Sequence, residues 1–342
     1  GSNRLNRYTV RRAAQGMAAW LSGTDLPKIA AIGYDSRHNS QLFAEVCAVA
    51  FAEEGIVTYL FDRLAPTPML SYAVRELSCG CGIVISASHN AGAYNGVKCY
   101  GPDGCQMTDE PAAVVTEKIA QIPYFVPETK PFEDFTKEGI VKYIDQGLWE
   151  KYYETVLNEA VAPDVIKKAG LNIVYTPLCG TGNEPVRAVL GDLGVNITVV
   201  SCQEQPDGDF KTCEYPNPET DAALNESYKV AREVPCDVIL GTDPDADRVA
   251  IAVKDGRYTP NTLPLPQSLG NLLEAERSWI NRRLAYISSY ASYGKYDSGE
   301  QAGALSFRSI VTTTGDSPTY NFTLQPHTWL YPSIGIGDSA IW

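Results

Sequence analysis

One order of elements occurs twice in this chain, and few folds accommodate it: strand, helix, strand, helix, strand, polar loop, returning strand. In the first copy the strands read "KIAAIGYD", "IVTYLFD", "GIVISA" and "GVKCYGPDG", with helices "QLFAEVCAVAFAEEG" and "PMLSYAVREL" between them and another helix over 9–21 before them. In the second copy the strands are "LNIVYT", "NITVVS", "CDVILGT" and "RVAIAVKDG", separated by the helices "NEPVRAVLGDLG" and "ETDAALNESYKVAREV". Strands alternating with amphipathic helices predict largely parallel sheets covered on both faces. The expected fold is therefore α/β, two repeated α/β/α units with mixed, mostly parallel sheets. The helical stretch "DQGLWEKYYETVLNEAV" joins them, dividing residues 1–145 from 146–257. Residues 258–342 hold no cysteine, eleven serines and three of the five tryptophans, and no third copy of the unit fits them.

Composition narrows the partners. A chain of 342 residues with 44% apolar content can bury two or three cores. A net charge of -13 argues against nucleic acid or an anionic membrane as the main partner. It leaves room for a local basic site that takes a small phosphorylated molecule. The nine cysteines are odd in number and lie mostly in apolar stretches such as "CAVAF" and "CDVIL", which predicts reduced, buried thiols and a cytoplasmic setting. Cys79 and Cys81 have one residue between them and no second pair nearby, a poor match to a zinc site. No signal peptide opens the sequence and no apolar run reaches the length of a membrane span.

Aligning the two copies aligns two polar loops. The first carries "SASHNAGAYNG" after its third strand, and the second carries "TDPDADR" there. Loops beyond the carboxyl ends of parallel strands are where ligands collect, so the two are expected to face one cleft. Asp243, Asp245 and Asp247 crowd three carboxylates into five residues. Unpaired, they repel; a divalent cation is the simplest reason to gather them, and oxygen-only ligands favour magnesium, calcium or manganese. A solvated acidic turn is the plainer alternative. An EF-hand is excluded, because its turn glycine would be Arg248 and its bidentate glutamate Lys254.

Ser88 lies beside His89 and Asn90, with a sharp Asn95-Gly96 turn and then Lys98, which could reach an anion. A Ser-His pair in a loop is commonly turn chemistry; those three features raise Ser88 to a candidate nucleophile, and the second copy offers the cation site that an activated or phosphorylated serine would need. In "GYDSRHNS", Ser36 or Asn39 could cap the next helix, and Arg37 could hold a phosphate at its N-terminus or pair with Asp35. "TPLCGTGNEP" fills the corresponding place in the second copy, as a strand-to-helix turn first and a ligand loop second.

With those features in hand, the chain resembles the α-D-phosphohexomutase family, most closely its bacterial phosphoglucomutase branch. The carrying stretches are "GSNRLNRYTVRRAAQG", "YDSRHNS", "PTPMLSYAVREL", "GIVISASHNAGAYNGVKCYGPDG", "TPLCGTGNEPVR", "YPNPE" and "TDPDADRVAIAV", in the family's order and within residues 1–256. The resemblance implies that Ser88 carries a phosphoryl group and, with Asp243, Asp245 and Asp247, ligates Mg2+. It further implies that His89 and Lys98 act in catalysis, while Arg37, Asn90 and Arg248 bind phosphate. The implied reaction interconverts glucose 1-phosphate and glucose 6-phosphate through phosphoserine and glucose 1,6-bisphosphate; mannose or pentose phosphates are alternative sugars.

The chain departs from the family in two respects. The usual "TASHNP" reads Ser86-Ala87-Ser88-His89-Asn90-Ala91, which loses the loop proline. No Phe-Gly-Thr-Gly-Gly-type segment precedes the first unit, and the family's third-domain sugar loop and fourth-domain phosphate loop are echoed only faintly by "YDSGEQAG" and "TTTGDSPTY". Two further readings follow: a fragment or pseudoenzyme that binds magnesium or phosphate without turnover, and a haloacid-dehalogenase-like phosphatase with Asp245 as nucleophile in its "DADRV" pattern.

Overall fold

The computed structural model describes residues 5–253 and two short strands further on. The first unit runs α1 (Arg7–Ser22), β1 (Ile29–Tyr34), α2 (Ser40–Glu53), β2 (Val57–Leu60), α3 (Thr67–Glu76), β3 (Cys81–Ile85), β4 (Val97–Tyr100), α4 (Asp109–Gln121), α5 (Phe132–Lys137) and β5 (Val141–Tyr143). The connecting helix α6 (Gln146–Asn158) follows. The second unit runs α7 (Pro163–Ala169), β6 (Asn172–Thr176), α8 (Asn183–Asp192), β7 (Asn196–Val199), α9 (Ser201–Glu204), α10 (Asp221–Glu233), β8 (Val238–Thr242) and β9 (Val249–Val253). The later strands β10 (Thr312–Thr314) and β11 (Ser317–Thr319) pair antiparallel. They overlap the "TTTGDSPTY" echo, whereas "YDSGEQAG" lies outside the described residues.

The repeat is visible in the topology. The first sheet has the order β4-β3-β1-β2-β5 and the second β7-β6-β8-β9. In each, the first strand lies between parallel neighbours and the fourth runs antiparallel beside the third. The predicted α/β fold with mixed, mostly parallel sheets is the one observed. β5 is the addition: it lengthens the first sheet beyond β2, in parallel.

Alternation along β1 divides the first core. Ala30 and Ile32 face a cluster built from α1, α2, α4 and α5, whereas Ala31 faces α3 and α6. The five residues of β3 are all buried, as a strand covered on both faces requires. In the second sheet Val174 packs toward α10 residues such as Ala231, while Ile173 and Tyr175 pack toward α8. α6 serves both units, since Trp149 and Leu148 enter the first core and Leu157 the second. The nine cysteines are all free thiols, six of them buried. Burial pushes the Cys79 thiol up to about 12 and that of Cys81 well above its ordinary value. Among the described residues no helix is long and apolar enough to cross a membrane.

Candidate active site at the junction of the two units

The loops after β1, β3 and β8 meet at one place. Ser88 Oγ donates to Asp243 Oδ2 across 2.9 Å, and Lys98 Nζ reaches Asp245 Oδ2 at 2.7 Å and Asp247 Oδ2 at 3.0 Å. The two loops aligned by the repeat thus face each other. Lys98 is carried there by β4, whose antiparallel return sets Lys98 opposite Val84 of β3.

The local backbone is tense. Ser88 and Ala246, one in each loop, both sit at φ 52°, in the left-handed region that non-glycine residues seldom adopt. Asn39, Leu178, Cys179 and Phe210, on the neighbouring loops, do the same. Such conformations persist where the surroundings hold them, and they gather at functional sites.

What holds the Ser88 loop is Arg37. Its guanidinium donates to the carbonyl oxygens of Ser88 and Asn90 through one nitrogen, and to those of Ala91 and Tyr94, at 2.9 and 3.0 Å, through another. Its Nε lies 3.2 Å from Asp35 Oδ2, both side chains fully buried. Asp35 also accepts from Arg37 N at 3.0 Å and from Ser40 Oγ at 2.8 Å, and Ser40 Oγ in turn meets Asn95 Nδ2 at 2.9 Å. Of the two sequence readings for Arg37, the pairing with Asp35 is present, and it is buried. The other face of the guanidinium lies over the Phe210 ring of the second unit. Burial pushes the Asp35 carboxyl up to about 6, against the pull of Arg37.

His89 is half-buried with Nδ1 3.2 Å from Ser88 Oγ. Burial first, and then the nearby Arg248, Lys98 and Arg37, push its pKa down to about 4, against the pull of Asp245. It is a neutral imidazole at pH 7. If the Ser88 proton points at Asp243, the His89 Nδ1–H donates to Ser88 Oγ. Asn90 is exposed and enters the described contacts through its backbone. Arg248 is buried, with its backbone N–H donating to Asp243 Oδ1 and its guanidinium to Glu219.

The aspartates fit a divalent cation. One oxygen from each of Asp243, Asp245 and Asp247 lies within 4.8 Å of the other two. Asp245 Oδ1 and Asp247 Oδ1 are buried without a hydrogen-bond partner, a costly arrangement unless a cation takes them. Burial and the two neighbouring carboxylates push Asp243 well above the usual carboxylate range. Asp245 meets the same burial, yet Lys98 holds it below that range. Three carboxylates against one ammonium leave an excess of negative charge suited to a hard divalent ion.

Two hydroxyls that were not singled out in the sequence belong to this centre. Ser86 Oγ accepts from Ser88 N at 2.8 Å and donates to Asp245 Oδ2 at 2.9 Å, and Thr67 Oγ1 donates to the same oxygen at 3.0 Å. Both lie inside stretches that carried the resemblance, but a lone hydroxyl at a strand end or helix start reads as turn chemistry. The "TPLCGTGNEP" loop packs against the aspartate loop: Thr181 N donates to Pro244 O at 2.8 Å, and a Cβ on Gly180 would overlap the Pro244 backbone.

Fold and site together define a class: a two-unit α/β protein whose centre sets a serine of one unit against an aspartate trio of the other. Residues 1–124 match the family model for phosphoglucomutase/phosphomannomutase α/β/α domain I, and residues 150–256 that for domain II. A Staphylococcus epidermidis phosphoglucomutase is 31% identical over 316 residues, 91% of this chain and 57% of that protein. A Staphylococcus aureus phosphoglucomutase is 34% identical over 257 residues, 75% of this chain and 46% of that protein. The chain therefore spans about half the length of the curated relatives it matches, and the first alignment reaches past residue 257. A solved phosphoglucomutase/phosphomannomutase family protein from Burkholderia thailandensis shares the fold, with TM-score 0.60 at 18% identity over 74% of this chain and 52% of that one. The chain belongs to the α-D-phosphohexomutase family, the phosphoglucomutase/phosphomannomutase group.

Proposed function

We propose that this chain supplies the phosphoryl-carrying centre of a phosphohexomutase that interconverts glucose 1-phosphate and glucose 6-phosphate. The observation that carries the reading is the contact of Ser88 Oγ with Asp243 at the edge of an aspartate trio with two unpartnered buried oxygens. Choice of glucose rests on the phosphoglucomutase relatives.

In this reading Ser88 alternates between free and phosphorylated forms. The bond from Ser88 Oγ to phosphorus breaks as one forms from a sugar hydroxyl, and the hydroxyl proton ends on Ser88 Oγ. The sugar bisphosphate turns over in the cleft, and Ser88 recovers a phosphate from the other end with the proton moving back. His89, neutral and with Nδ1 beside Ser88 Oγ, hydrogen-bonds that atom and helps to orient it. Lys98, which meets Asp245, and Arg248, which pairs with Glu219, are the cations that would take phosphoryl oxygens, and Arg37 keeps Ser88 in its strained position. Asp243, Asp245 and Asp247 would hold Mg2+, which offsets charge on the transferring group in a reaction governed by positioning and electrostatics.

The aspartyl-phosphatase alternative needs Asp245 presented to substrate. Asp245 is fully buried, and its Oδ2 already accepts from Thr67, Ser86 and Lys98. The test follows glucose 1-phosphate by phosphorus NMR with wild-type protein and Ser88→Ala, each with Mg2+ and catalytic glucose 1,6-bisphosphate. Appearance of glucose 6-phosphate with wild type alone supports the mutase. A phosphorylated Ser88 without turnover supports the binding-only reading, and free phosphate released by both proteins supports a phosphatase.

A further inference from the structure

The three aspartates differ in what orients them. Asp243 is held by Arg248 N of its own loop together with Ser88, and Asp247 by Lys98. Asp245 is gripped by the first unit on both its backbone and its carboxylate. Thr67 N, an amide at the start of α3 where helical N–H groups lack intrahelical partners, donates to Asp245 O at 2.9 Å. Thr67 Oγ1 and Ser86 Oγ, both buried, donate to Asp245 Oδ2 at 3.0 and 2.9 Å. These bonds use up one oxygen and leave Oδ1 buried and unpartnered.

We propose that Thr67 and Ser86 are positioning residues for the cation site, anchoring Asp245 Oδ2 so that Oδ1 faces the ion. The inference rests on the reading of the aspartate trio as a Mg2+ site. Lys98 also touches Oδ2, but its chain is flexible and its charge is as useful to a phosphoryl group; the two hydroxyls are the fixed anchors. A cation site completed in this way is shared: its three carboxylates come from the second unit, and the aim of Asp245 comes from the first. Removing one anchor leaves Asp245 Oδ2 with the other hydroxyl and Lys98, so the carboxylate is less firmly aimed, and partners that orient a ligand are typically worth about 10–100-fold in metal affinity.

The test is titration of the unphosphorylated full chain with Mg2+ by calorimetry, comparing wild type, Thr67→Val, Thr67→Ser and Ser86→Ala. Val keeps the shape and the backbone bond but removes the hydroxyl, and Ser restores the hydroxyl. The expected result is Mg2+ binding weakened roughly 10–100-fold in Thr67→Val and Ser86→Ala, with Thr67→Ser close to wild type. Should Thr67→Val fail to fold, Ser86→Ala decides. Variants that bind Mg2+ as wild type does overturn the inference and leave the metal site standing. A wild type that takes up no Mg2+ overturns both. Weakened binding as expected in a chain that turns over no sugar phosphate upholds the inference while the functional reading fails.

Discussion

Ser88 Oγ meets Asp243 Oδ2 at 2.9 Å although 155 positions of sequence separate them. Neither unit holds the centre alone: the first brings the serine, Lys98 and the Asp245 anchors, and the second brings the carboxylates. The Ser88 loop also abuts the second unit on its other side, where a Cβ on Gly92 would meet Gly208 O at 2.5 Å.

Arg37 is the main support of that loop, and its replacement reports how much. Arg37→Lys cannot bridge four carbonyl oxygens and a carboxylate at once, and Arg37→Met leaves Asp35 buried without its cation. Urea unfolding should show Arg37→Met less stable by about 3–5 kcal/mol, with Arg37→Lys intermediate. Hydrogen exchange should quicken across residues 88–96. Unchanged exchange there would mean that the loop is held by other contacts.

Asp35 gives a pH dependence with a definite sign. Its folded pKa of about 6 lies above its ordinary 3.8, so the folded protein binds the extra proton between those values. The carboxyl's contribution to stability is fully present below 3.8 and is lost as pH rises through 6. Melting temperatures of wild type and Asp35→Asn, taken from pH 4 to 8, should show the variant gaining on wild type up to about pH 6 and holding a constant difference above it. Each kcal/mol of that difference moves the midpoint by about 2–4 °C. A variant that loses ground as pH rises would show the Arg37 ion pair outweighing the cost of burying the carboxylate.

Gly180 is a prediction about the cation loop. Because an added methyl group would overlap the Pro244 backbone, Gly180→Ala must push the loop that carries Asp243 and Asp245. Thermal unfolding should register about 1–3 kcal/mol of lost stability, and Mg2+ should protect the variant from melting less than it protects wild type. Equal protection would mean the loop absorbs the shift without moving its carboxylates.

The fold was legible wherever a strand or helix buried a clear stripe. All eight strands of the two repeated units appear where the sequence predicted them, including β4 and β7, which bury little. β5, three residues long, and α4 both escaped notice, and both lie outside the repeated order of elements. At the site, the aspartates were readable because three carboxylates in five residues are unusual, and Ser88 and Lys98 because the repeat sets their segment opposite those carboxylates. Thr67 and Ser86 were not, because their function exists only across the junction, where a hydroxyl meets a carboxylate distant in sequence. Arg37 was found, but its guanidinium is spent on loop carbonyls and Asp35, a use that sequence cannot distinguish from phosphate binding.

The central claim is that Ser88 carries the phosphoryl group at a cation site shared between the units. Its most direct test is the intact mass of the full chain after incubation with glucose 1,6-bisphosphate and Mg2+, followed by fragmentation to place any added phosphate. The account predicts one phosphate on wild type, located at Ser88, stable to hydroxylamine and absent from Ser88→Ala. A phosphate that hydroxylamine removes and that persists in Ser88→Ala would place the chemistry on an aspartate and contradict it; so would a chain that takes up no phosphate while binding Mg2+ normally.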